Sequence, residues 1–168
     1  RRVRVPTLID TTDTKVVEAA LKNVNGKPGI NSVNLEDGGE RIREVAALAK
    51  KYGASLICGL IDEDREQGMA VTVERKLEVA QNIYQILKSE FGIPDTDIIF
   101  DPLVFPCATG DKNYLGSARE TIDGTLAIKK KFPRCLTVLG ISNVSFGLPP
   151  AGREVVNSVF LHLCVEAG

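Results

Sequence analysis

Hydrophobic residues along this chain are grouped into five runs rich in β-branched side chains, at residues 5–10, 29–35, 55–62, 97–105 and 137–146. Between them the apolar spacing changes from continuous to helical. Ile42, Val45, Ala46, Ala49 and Tyr52 repeat at i, i+3, i+4 and i+7, and Val73, Leu77, Ala80, Tyr84, Leu87 and Phe91 do the same. A last stripe is formed by Val155, Val156, Val159, Phe160 and Leu163. Gly53 and Gly92 stand where helix C-caps belong, Ser117 with Glu120 reads as a capping box, and Pro149-Pro150 introduces the last helix. Short, nearly uninterrupted apolar strands alternating with amphipathic helices predict an α/β fold built on a parallel sheet.

Two α/β architectures compete. A doubly wound sheet usually carries a Gly-rich phosphate loop after its first strand, but here that strand runs into Ile9-Asp10-Thr11-Thr12, without a G-x-G-x-x-G or Walker pattern. A (β/α)8 barrel places functional residues at the carboxyl end of every strand. The polar residues fall that way: Asp10, Asn31 and Asn34, Asp62, Asp101, and Asn143. Each could also be a helix cap or a turn former, and it is the recurrence over five units that favours the barrel. A complete barrel needs eight strands and about 250 residues. The 168 residues are therefore expected to form one domain, residues 1–168, that is a partial barrel of about five βα units, incomplete at both ends.

The formal net charge of −1 gives no electrostatic footprint for nucleic acid, and no apolar run is long enough to span a membrane. The opening Arg-Arg-Val-Arg-Val-Pro lacks the apolar stretch of a signal peptide. Cys58, Cys107, Cys135 and Cys164 are far apart, form no C-x-x-C, and have only His162 beside them. No metal site is expected, and reduced thiols fit a cytoplasmic protein.

The motifs LIDTTD (residues 8–13), INSVNLEDG (30–38), DIIFDPLVFPCATG (97–110) and GISNVSFGLP (140–149) resemble the pterin-binding family. Within it they are most similar to the methyltetrahydrofolate-binding domains of cobalamin-dependent methionine synthases. The resemblance extends over essentially the whole chain and implies that its strands are the third to seventh of a TIM-type barrel. It further implies a methyltransferase module that binds 5-methyltetrahydrofolate and passes the N5 methyl to cob(I)alamin held by a corrinoid-binding partner domain or protein. On that resemblance Asp101 is the carboxylate for adjacent ring N–H donors, and Asp10 and Asn31 bond other edges of the pterin. Asp62 stands at the pocket rim. Gly140 admits the ring, Ser142 (with Ser145) orients Asn143, and Asn143 reaches N5. Asp101 and Asn143 are the catalytic pair.

The same stretch argues against two rivals. Gly140-Ile-Ser142-Asn-Val144 lacks the second glycine of a nucleophile elbow. Asn143-Val144 also stands where dihydropteroate synthases carry Arg-Lys for a diphosphate leaving group. Arg153 is a candidate for the glutamate tail, and Met69, Leu103, Phe105 and Phe146 are candidates to cover the ring. Two alternatives stay open from the residues alone: a stand-alone methyltransferase serving a corrinoid protein, and a catalytically silent pterin-binding or docking fragment. A homo-oligomer is compatible with either.

Overall fold

A computed structural model describes residues 5–168. The elements run β1 (Leu8–Asp10), α1 (Thr14–Leu21), β2 (Gly29–Leu35), α2 (Glu40–Tyr52), β3 (Ser55–Asp62), α3 (Val73–Ser89), β4 (Ile98–Asp101), α4 (Ser117–Lys131), β5 (Leu136–Thr137) and α5 (Pro150–Ala167). All neighbouring strands are parallel, and the spatial order is the chain order, β1-β2-β3-β4-β5. This order decides between the two architectures. A doubly wound sheet reverses its strand order at a switch point, whereas here each strand is laid beside the last in one direction. Right-handed crossovers then put every helix on the same face of the sheet. The helices do form one such layer, with α1 against α2, α3 against α4 and α4 against α5. The chain is an arc of five consecutive βα units of the TIM-barrel type.

The core lies between sheet and helices. Ile9, Ile30, Leu56, Cys58, Ile98 and Phe100 point from the strands into one cluster with Val17, Ile42, Val45, Val79, Ile83 and Ile128. Phe132 completes it with tilted contacts to Phe100 (5.3 Å) and Tyr84 (4.7 Å). Because side chains alternate along a strand, the residues next to these face the opposite, concave side. Asp13 caps α1, accepting from the Lys15 and Val16 N–H groups at 2.8 and 3.4 Å. Asp13→Ala is expected to cost about 1 kcal/mol, measurable as a lower urea midpoint with an unchanged slope.

β2 and β3 occupy the expected spans, but the other runs are trimmed for local reasons. Pro6 in the first run and Pro102 in the fourth have no N–H for the ladder, so pairing starts at Leu8 and stops at Asp101. Leu103 then takes a left-handed φ of 63°, turning the chain away from the sheet. The fifth strand is only Leu136–Thr137, so a single residue of the fifth run is strand. Val138 still donates to the Phe100 carbonyl at 2.9 Å, after which Ile141–Ser145 coils into a 3₁₀ turn.

Two local expectations are corrected. Gly116, in a left-handed conformation (φ 78°), is the N-cap of α4, so Ser117 lies inside the helix with its buried hydroxyl unpaired. Glu120 reaches across to the first turn of α3 instead, accepting from Val73 N–H at 2.8 Å. On α5 the buried side is Phe160, Cys164 and Ala167, while Val155, Val159 and Leu163 of the expected stripe are exposed. All four cysteines are free thiols. Cys58, Cys135 and Cys164 are buried, and burial pushes the last two up to about 11. Among the described residues no helix is long and apolar enough to cross a membrane, and no cluster of potential metal ligands occurs.

Candidate functional site

Parallel strands bring all carboxyl ends to one edge of the sheet, and the register sets which side chains meet there. Asp10 lies beside Asn31, and Asp101 beside Gly59. Their neighbours Ile9, Ile30 and Phe100 belong to the helix-facing core. Asp10, Asn31 and Asp101 therefore share the concave face at the same end of the sheet. Gly59 leaves the space beside Asp101 open, because it has no side chain to fill it.

A cavity of about 330 Å³ opens at this end, lined by Met69, Asp101, Leu103, Val104, Phe105, Tyr114, Gly140 and Asn143. Asn143 enters it on the 3₁₀ turn that follows β5. That turn is held by Asn143 N–H donating to the Gly140 carbonyl at 3.0 Å and Phe146 N–H donating to the Asn143 carbonyl at 3.1 Å. A Cβ on residue 140 would stand 3.2 Å from Asn143 Nδ2, so glycine at this position leaves the amide room. One apolar wall is rigid, with the Phe105 and Tyr114 rings stacked at 4.8 Å.

A second, larger cavity of about 760 Å³ adjoins the first through the shared residues Met69 and Tyr114, and Asp62 lines this one. Asp62 pairs with Arg75 at 2.6 Å and also accepts from Asp64 N–H at 3.1 Å. It thus stands at the rim, committed to Arg75. Ser142 is exposed, and its carbonyl accepts from the Ser145 hydroxyl and from Arg153 Nη2, both at 3.2 Å. Ser142, Ser145 and Arg153 thus brace the turn that carries Asn143 through its backbone, and Arg153 is tied to that turn.

The strand-end polar residues now separate into two kinds. Asn34 accepts from Glu36 N–H at 3.1 Å, the role of a turn former. Asp62 is spent on its ion pair. Asp101 gives one oxygen to Leu103 N–H at 3.0 Å and keeps the other for the cavity. The side chains of Asp10, Asn31 and Asn143 have no hydrogen-bond partner among the described residues. Capping accounts for the first kind and fails for the second.

Burial raises Asp101 above the ordinary carboxylate range, with the Leu103 N–H and the charge of Lys76 pulling the other way. The folded state holds this proton more tightly than the unfolded chain. The contribution of Asp101 therefore turns unfavourable as pH rises from the ordinary value of 3.8 through the raised one. A carboxylate that costs stability at neutral pH is more readily explained by ligand binding than by folding.

Lys76 was not among the expected site residues. It is fully buried, and its Nζ donates to the carbonyls of Ala70 (2.8 Å) and Pro102 (2.5 Å). A signal was present in the sequence: position 76 falls on the apolar stripe of α3, three before Val79, four before Ala80 and seven before Ile83. A lysine at that phase is buried.

The profile of the family described as pterin binding enzyme matches residues 1–168. This chain belongs to that family. It is 40% identical over 167 residues to a methionine synthase of Mycobacterium tuberculosis (strain ATCC 25618 / H37Rv), and 42% identical over 167 residues to a methionine synthase of Mycobacterium leprae (strain TN). In both comparisons 98% of this chain is aligned, and it spans 14% of the length of the relative. As a pterin-binding family member, the chain presents its polar strand ends at the carboxyl mouth of the barrel arc, the face on which barrel enzymes place their ligands.

Proposed function

We propose that this chain binds 5-methyltetrahydrofolate and presents its N5 methyl group to cob(I)alamin held by another domain or protein, as the folate module of a methionine synthase. The observation that carries this reading is the joint lining of one cavity by Asp101, Gly140 and Asn143, with the unengaged Asp10 and Asn31 on the same face. A cavity of about 330 Å³ lies in the range of small-ligand sites, roughly 300–1,000 Å³. Identity of 40–42% to two methionine synthases supports the methionine synthase assignment over a stand-alone corrinoid methyltransferase.

A pterin ring is flat, with adjacent N–H donors at N3 and the 2-amino group that one carboxylate accepts bidentately. Asp101 supplies that carboxylate. Asn31, whose amide both donates and accepts, suits an edge where donors and acceptors alternate, and Asp10 takes a further donor. Asp62 keeps its place at the rim, and the stacked Phe105–Tyr114 pair forms an apolar wall.

The corrinoid supplies the nucleophile that accepts the methyl group. The task of this chain is to make N5 a leaving group. A neutral tertiary amine leaves poorly, and protonation makes it leave well. Asn143 is exposed, so solvent at the mouth can deliver the proton. Its amide oxygen then accepts from N5–H. When the N5–CH3 bond breaks, the electron pair stays on N5 and the proton remains there. The bond is stronger to cationic N5–H than any bond the amide offers the neutral amine, so it selectively stabilises the protonated, leaving-group form on the way to the transition state.

The test is to mix the protein with 5-methyltetrahydrofolate and cob(I)alamin and follow the conversion to methylcob(III)alamin by its visible spectrum. Saturable folate binding with transfer is the expected result. Binding without any transfer would replace this reading with a silent pterin-binding module.

A further inference from the structure

The folate site described above uses Asp101 but leaves the buried charge behind it unexplained. Lys76 enters from α3 with no exposed surface. Its stem passes over Gly124 of α4, where an added Cβ would stand 2.6 Å from Lys76 Cδ. The ammonium is bonded to the Ala70 carbonyl in the loop after β3 and to the Pro102 carbonyl, the peptide directly after Asp101. It also lies 5.3 Å from the centroid of the Phe105 ring, which lines the cavity. One cation thus joins three parts of the mouth: the β3–α3 loop, the backbone that aims Asp101, and an apolar wall.

We infer that Lys76 is a positioning residue for the pterin site, holding the Asp101–Leu103 turn in its ligand-ready form. This rests on the folate reading and adds to it a residue that never touches the ligand. The turn needs such a brace because Leu103 sits at φ 63°, a conformation that costs a branched side chain free energy. A buried ammonium is itself unfavourable unless paired, and burial lowers Lys76 to about 8. The charged groups facing it are Asp101 from the end of β4 and Glu120 from α4; both favour its charged form. Glu120 spends its carboxylate on Val73 N–H, so Asp101 is the charge at the cavity that Lys76 faces, acting on it through space while its ammonium is bonded to the two carbonyls.

The experiment compares wild type, Lys76→Met and Gly124→Ala in the whole protein as it occurs naturally, titrating tetrahydrofolate across pH with far-UV circular dichroism as a check on folding. Lys76→Met, similar in volume and uncharged, is expected to bind about tenfold more weakly near neutral pH. The acid limb of its binding curve should move to higher pH, because Asp101 without its cation keeps its proton longer. Gly124→Ala displaces the lysine stem without removing its charge, and the helix preference of alanine offsets part of the crowding, so weaker binding by a folded protein is expected there as well. A folded Lys76→Met with wild-type affinity and an unmoved acid limb overturns the assignment. If wild type itself binds no tetrahydrofolate, the folate reading fails instead, and the two failures are distinct.

Discussion

Asp101→Ala is expected to weaken binding of 5-methyltetrahydrofolate by on the order of 100-fold or more, with the fold intact. The magnitude follows from two charge-assisted hydrogen bonds at roughly 1.5–3 kcal/mol each, lost together. Asp101→Asn is expected to do no better. An amide in place of the carboxylate turns one acceptor into a donor and sets it against a ring N–H, leaving two donors facing each other in a partly dry pocket. Neither change should unfold the protein: Asp101→Ala gives up the bond from Leu103 N–H, but it also removes a buried charge that is a cost to the folded state. Thermal midpoints at neutral pH should therefore stay level or rise while affinity falls, the pattern of a residue kept for function. The pH dependence in wild type has a fixed sign. Binding needs the ionised carboxylate and the folded pKa is raised, so affinity should begin to fall, on acidification, at a pH above that of an ordinary aspartate. Isothermal titration calorimetry over a pH series measures both. An Asp101→Asn protein that binds as wild type does would remove this carboxylate from the site.

The architecture was legible in the sequence because period and punctuation agree. Strands read as unbroken β-branched runs, helices as stripes, and Gly53 ends α2 at φ 69° as a C-cap glycine should. The placement of Asp10, Asn31 and Asp101 was legible for the same reason: in a parallel sheet, a polar residue that ends an apolar run lies at a fixed edge. What the sequence hid depends on partners far along the chain. Asp62 ends its strand as Asp101 does, and the partner that ties it to the rim, Arg75, lies thirteen residues on. Glu120 looked like a local cap, yet it closes the start of a helix 47 residues away. Lys76 is hidden by its type, since lysine is usually solvated; only its phase on α3 distinguishes it. The fifth run reads longer than the strand it forms, since apolar content fixes neither where pairing ends nor where a 3₁₀ turn begins.

Asn143→Ala is expected to slow methyl transfer by about 10²–10³-fold, the range for removing one preorganised group from a developing charge. Its effect on folate affinity should be smaller, up to about tenfold, because in the ground state the amide offers N5 one neutral hydrogen bond. Stability should change by no more than about 0.5 kcal/mol, since the side chain is exposed and has no partner among the described residues. These three expectations separate the roles that an asparagine at this position could play. A turn former would show its loss in stability, but the turn is held by backbone bonds from Asn143 N–H and to the Asn143 carbonyl, which alanine retains. A residue that only binds would lower affinity and rate together, and saturating folate would restore the rate. A group acting on N5 in the transition state leaves a rate defect that no folate concentration repairs. Single-turnover transfer to cob(I)alamin at saturating 5-methyltetrahydrofolate makes the distinction. An Asn143→Ala protein whose saturated rate equals that of wild type would confine Asn143 to binding and move the activation of N5 to another group at the mouth of the barrel.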